Sequence, residues 1–180
     1  MIRKALDWLY VGSGAIASLL IAAICLLVCS QVVFNLITRL AGGSVNLTIP
    51  SYADFAGYFL AASSFLALAY TLRQGGHIRV NLVLTRLPIT ARLVAEIFSI
   101  TVCTAISFFA TFHMAKLCLE SFEFGDLSPG IIAIPLWIPQ SSVLFGLAIL
   151  TIALIDCLFV IFTSRQSEFE AIESEKQGAE

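Results

Sequence analysis

The sequence predicts an all-α integral membrane protein with four transmembrane helices. Three observations carry that expectation: a composition too apolar for a water-facing surface, four uncharged stretches long enough to cross a bilayer, and basic residues that alternate between connections. Of 180 residues, 59% are hydrophobic and 12% charged, whereas soluble domains are about a quarter charged. A soluble chain of this length would leave about a third of its unfolded surface exposed, which so few charges, gathered at a few points, could not cover. Lipid must cover the rest. The net charge of -2 says little about partners, because in a membrane protein the placement of each charge matters more than the sum. No nucleic-acid footprint is present.

Crossing about 30 Å of hydrocarbon at 1.5 Å per residue takes roughly 20 apolar residues. Four stretches qualify, at approximately 14–38, 54–72, 93–115 and 137–162. Arg3 and Lys4 ahead of the first stretch resemble a signal peptide, but the uncharged run from Trp8 to Thr38 is too long for its apolar core. It is expected to be a retained span. Leu26, Leu27 and the bulky Val28 ahead of Cys29 argue against lipoprotein processing. The second stretch is the shortest, bounded by Asp54 and Arg73 and rich in Phe, Leu, Ala and Tyr. Residues 1–165 thus form a single four-helix transmembrane domain, and residues 166–180 an acidic cytoplasmic tail.

Orientation follows from the basic residues. Arg3, Lys4, Arg73, Arg79, Arg86, Arg92, Arg165 and Lys176 fall on one side of a four-span layout, and only Arg39 and Lys116 on the other. The positive-inside rule makes the first side cytoplasmic, so both termini are cytoplasmic. The outer connections are then nearly neutral (41–53) and acidic (Glu120, Glu123, Asp126). Trp8, Tyr10 and Trp137 fall where aromatic belts are expected.

The middle connection, Q-G-G-H-I-R-V-N-L-V-L-T-R-L-P, is too apolar for a solvated loop and too short for a span. It is expected to lie in the cytoplasmic interface between spans two and three. Ile78, Val80, Leu82 and Leu84 alternate with period two, but Leu87 and the arginines fix no clean face, so helix and extended chain both stay open.

Few residues offer chemistry. Glu96 and Asp156 are carboxylates near the cytoplasmic ends of spans three and four; ion pairing or snorkelling is favoured over a transport role. A haem site would need a second histidine at the depth of His113, and His77 is expected on the opposite side. Five cysteines without C-x-x-C spacing indicate neither a zinc site nor a disulfide framework. No nucleophile elbow is present, and no cofactor is expected. Small residues are better organised. Gly14, Ser18, Ala22, Cys25 and Cys29 form a smooth stripe, as do Thr104, Ser107 and Thr111, and Gln31 with Asn35 could hydrogen-bond across helices.

Two segments resemble the DctQ-like small membrane subunit of tripartite ATP-independent periplasmic (TRAP) transporters. One is Asp54, an aliphatic run, then L-R-Q-G-G-H-I-R-V-N-L-V with Arg73, His77 and Arg79, through Leu87-Pro88 to Arg92. The other is S-P-G-I-I-A-I-P-L-W-I-P, where Ser128, Pro135 and Trp137 match the entry into span four. The family commonly has Glu where Asp54 stands, so the shorter acid changes the reach of any contact there.

The resemblance implies a small, non-transporting scaffold subunit of a sodium-driven permease in the bacterial inner membrane, importing an organic acid and not acting as an enzyme. Its implied partners are the large TRAP membrane subunit, which would hold the sodium and substrate, and a periplasmic substrate-binding protein. Residues expected at partner or lipid interfaces are Asp54, Arg73, His77, Arg79, Glu96, Pro135, Trp137 and Asp156. The alternative is an autonomous small membrane transporter or the membrane anchor subunit of another complex.

Overall fold

The structure, a computed structural model, describes residues 2–41, 47–74 and 89–164. The expected interfacial segment with His77 and Arg79, and the 166–180 tail, lie outside the described residues. Among the described residues four helices follow in order: α1 (Ile2–Leu40), α2 (Tyr52–Arg73), α3 (Ile89–Phe124) and α4 (Trp137–Ser164). Each contains an apolar stretch long enough to cross a membrane, at Leu6–Leu40, Tyr52–Arg73, Val94–Phe124 and Trp137–Ile161. The chain is an all-α, multi-pass membrane protein.

The helices outrun the apolar stretches because a helix ends at a stop signal, not at the edge of hydrophobicity. No glycine or proline interrupts 89–124, so α3 carries Lys116, Glu120 and Glu123 on its last turns. These residues were expected in a connection. Gly125 then takes φ +67, and the Asp126 N–H donates to the Ser121 carbonyl at 3.1 Å. This is the Schellman ending, which favours a residue without Cβ.

Packing is sequential in space but not in the chain. Among the described residues α1 packs on α2, α2 on α4 and α4 on α3, with a slight contact between α1 and α4. The result is an open row, α1–α2–α4–α3, not a closed bundle. Two glycines allow close approach within it. A Cβ on Gly14 would come within 2.8 Å of Tyr70 Cγ, and one on Gly146 within 2.6 Å of the Phe65 carbonyl carbon. The buried cluster of Tyr10, Ala69, Leu72, Ala153, Leu154 and Cys157 joins α1, α2 and α4 toward the Arg73 end.

The α3–α4 seam uses hydroxyls instead. Thr151 Oγ1 lies 2.8 Å from Ser107 Oγ and 3.1 Å from Thr111 Oγ1. These bonds occur where water cannot compete for the groups. The small-residue stripe expected on α1 behaves differently: Gly14 is buried, while Ser18, Ala22, Cys25 and Cys29 face outward. Helical register explains this, because the buried face of α1 runs through Tyr10, Ser13, Ala17 and Gln31. Large apolar side chains such as Leu19, Leu26, Phe98, Phe108 and Phe159 stay exposed, as lipid or a membrane partner allows.

Candidate partner and lipid interface

Polar residues concentrate at the two ends of the row. At one end Arg73, the last residue of α2, lies near the helix C-terminus, where a cation complements the dipole. Its Nη2 donates to Asp7 Oδ1 at 3.0 Å, and its Nη1 stands 3.6 Å from Asp156 Oδ2. The guanidinium carbon also lies 5.8 Å from the centre of the Tyr10 ring. One cation therefore ties α2 to α1 and to α4. Tyr10 is 1% exposed, and its hydroxyl has no hydrogen-bond partner among the described residues, so the guanidinium meets its ring face.

Sequence reading had singled out Arg73 and Asp156 but missed Asp7. The partners are 66 residues apart, and Asp7 lies just ahead of the uncharged run from Trp8 to Thr38. Glu96 occupies the second turn of α3 and is 8% exposed. Arg92 falls in the turn before it.

At the opposite end a short hairpin covers the start of α2. Ser128 N–H donates to the Ile134 carbonyl at 2.8 Å and Leu136 N–H to the Asp126 carbonyl at 2.9 Å, with Leu127 and Pro135 bridged antiparallel. Proline suits that place, since it has no N–H to leave unpaired. Its carbonyl accepts from Ile138 N–H at 3.2 Å as α4 begins. Trp137 then sets its ring edge-on to Phe122, centroids 5.6 Å apart, fixing the start of α4 against α3.

Ser51 and Asp54 receive the hairpin. The spacing Ser51-x-x-Asp54 has the form of a capping box, but Ser51 is left-handed at φ 57 and makes no side-chain cap bond. Its carbonyl instead accepts from Asp54 and Phe55 N–H at 3.0 and 3.1 Å, while its Oγ accepts from Ile132 N–H at 3.0 Å. Asp54 lies in the first turn, where a negative charge complements the dipole. A Cβ on Gly130 would overlap Asp54 Oδ2 and come within 3.0 Å of Ser51 Oγ. The roles of Ser51 and Gly130 went unseen in the sequence, although the cap-like spacing and the S-P-G turn were its only traces.

Gln31 also departs from expectation. It does not bridge two helices: its Nε2 donates to Asn35 within α1 at 3.2 Å, and its Oε1 accepts from Ile49 N–H at 2.9 Å. Buried at 3% exposure, it holds the segment leading into α2. His113 packs between the rings of Phe109 and Phe112, with centroids at 4.2 and 5.6 Å. Among the described residues no three His, Cys, Asp or Glu gather in a way that could hold a metal ion.

Four apolar helices in an open row, charged at the ends and uncharged between, define a polytopic membrane component built around packing surfaces. The family described as "Tripartite ATP-independent periplasmic transporters, DctQ component" matches residues 24–163. The chain belongs to that family and is a component of a transporter; the family is not one of enzymes. No curated protein and no solved structure matches the chain.

Proposed function

We propose that the chain is the small, non-transporting scaffold subunit of a sodium-driven, binding-protein-dependent TRAP permease that imports an organic acid. Family membership supports the setting. The observation that carries the scaffold role is the open row. It buries one narrow face of each outer helix and leaves broad apolar faces on α1 and α3, which a large membrane subunit can cover.

Charge placement supports the same reading. No Asp, Glu, Lys or Arg stands between Asp7 and Arg39, Asp54 and Arg73, Glu96 and Lys116, or Trp137 and Asp156. A coupling site near the bilayer midplane would need such a group or a broken helix. Sodium and substrate therefore belong to the large partner, and a periplasmic binding protein delivers the substrate. The basic Arg73 end faces the cytoplasm of a bacterial inner membrane, with both termini on that side.

Reconstitution tests the role. The chain alone should catalyse no sodium-driven uptake, and activity should require the large subunit and the binding protein together. Robust uptake by the chain alone would make it an autonomous transporter. Orientation is tested with single cysteines at Gly42, Gly76 and Gly125: a membrane-impermeant reagent on intact cells should label the first and third only.

A further inference from the structure

Two ionisable side chains on the open face of α3, His113 and Lys116, stand at a depth where lipid cannot satisfy them. α3 and α4 run antiparallel and are tied by Ser107 and Thr111 on Thr151. Nearer the hairpin, Cys118 Sγ donates to the Trp137 carbonyl at 3.6 Å, and Phe122 meets the Trp137 ring. Trp137 opens the apolar stretch of α4, as suits an aromatic at the headgroup boundary. Cys118 and Phe122 therefore mark that boundary on α3. Lys116 and His113 precede them by about one and two helical turns, roughly 5 and 11 Å into the apolar core. Both are exposed, and among the described residues α3 packs closely on α4 alone.

A lysine near a helix end ordinarily snorkels to water. Here the direction of the helix opposes it. Helical side chains lean toward the helix N-terminus, and that of α3 lies on the far side of the membrane. The Lys116 ammonium accordingly sits 5.3 Å from the centre of the Phe112 ring, one turn deeper, while His113 packs between Phe109 and Phe112. Among the described residues neither side chain makes a hydrogen bond or an ion pair. Phe109 and Phe112 are 64% and 52% exposed, so the four residues form one strip at three- and four-residue steps, apolar with a cation set into it.

Charge and depth select what covers the strip. Ionisable groups within a membrane almost always pair with one another or with protein polar groups, and lipid phosphates lie beyond the boundary, away from where the ammonium points. A second copy of this chain would bring its own Lys116 to the strip, because a two-fold dimer in a membrane opposes like residues at like depth. Glu120 stands one turn nearer the boundary, and Lys ahead of Glu is the weaker order for a helical pair. A carboxylate on another membrane helix meets every requirement.

We propose, resting on the scaffold reading above, that this strip of α3 seats a membrane helix of the large subunit that presents an Asp or Glu to Lys116, with His113 as a second polar contact.

Copurification of the full chain with its large subunit in mild detergent tests the pairing. Lys116→Arg should assemble as the parent does. Lys116→Met should weaken association at least about tenfold, and Lys116→Glu further, because a charge left alone in an interface costs more than its absence. His113→Phe should have the smaller effect. A membrane-permeant carbodiimide, which condenses an amine with a carboxylate in contact with it, should join Lys116 to one Asp or Glu of the large subunit. Exchanging that residue for Lys should restore assembly of Lys116→Glu, an outcome that a misfolded variant could not give.

Normal assembly of Lys116→Glu would overturn the pairing and leave the scaffold role intact. So would a carbodiimide product between two copies of this chain, which would make the strip a homodimer face. Release of phosphatidylglycerol from Lys116→Glu in native mass spectrometry, with no carbodiimide product in the parent, would assign the cation to a headgroup instead. Failure of the parent chain to copurify with the large subunit would overturn the scaffold reading and the pairing together.

Discussion

At the Arg73 end, α1, α2 and α4 are joined by one guanidinium set between Asp7 and Asp156; at the Gly130 end, α2 is joined to the hairpin by the Ser51 hydroxyl and by close fit. The first junction is made by charge. Its side chains are 24% exposed for Arg73, 51% for Asp7 and 18% for Asp156, so water and salt share in the interaction. The second is made by a hydroxyl and by shape, with Gly130 against the Asp54 carboxylate, so an added methyl there must displace the tip of that side chain. Two solutions to the same task therefore differ in kind: the charged junction should respond to salt, the fitted one to added volume.

The largest expected effect breaks the fitted junction. Gly130→Val places carbon where Asp54 Oδ2 now lies, and overpacking of this kind costs about 1–3 kcal/mol. Reversible unfolding in mixed micelles measures it. Adding Asp54→Ala to the same chain should return most of the loss; an unchanged deficit would show that the overlap is not its source.

Next comes the charged junction. Arg73→Met removes the guanidinium from both carboxylates. A fully buried broken pair costs about 3–5 kcal/mol, and partial exposure should reduce that to about 1–2 kcal/mol. The same titration at 1 M salt, where screening acts over about 3 Å, should narrow the gap between Arg73→Met and the parent. The Gly130→Val gap should not change. Equal salt response at the two ends would erase the distinction between them.

A smaller effect calibrates the comparison away from both ends. Thr151→Val removes the hydroxyl that meets Ser107 and Thr111, and such interhelical bonds in membranes average about 0.6 kcal/mol, reaching about 1.7. The loss should be independent of salt. The smallest change is Asp7→Asn: this carboxylate is half exposed, so its pairing should contribute about 0.5 kcal/mol or less, visible only as a small shift of the midpoint. A loss as large as that of Arg73→Met would make Asp7, not Asp156, the principal partner.

What the sequence alone determined is the one-dimensional part of the design. Four spans follow from the absence of charge over lengths that match a bilayer, because hydrocarbon rejects unpaired charge whatever the tertiary arrangement. The acidic start of α2, its basic end and Trp137 at the boundary of α4 were legible for the same local reason: helix ends and membrane boundaries impose requirements on single positions; Pro135 at the entry into α4 was read from the family resemblance. Tertiary structure decided who meets whom. Asp7 reaches Arg73 across 66 residues, Ser51 gives its hydroxyl to Ile132 across 81, and Gln31 turns to Ile49 instead of a neighbouring helix. It also decided that Ser18, Ala22, Cys25 and Cys29 face outward. In lipid both faces of an apolar helix are equally acceptable to the solvent, so hydropathy carries no record of which face is packed. Helix order and rotation are then set by close approach and by polar pairing at a few points, which emerge only when the four helices lie side by side.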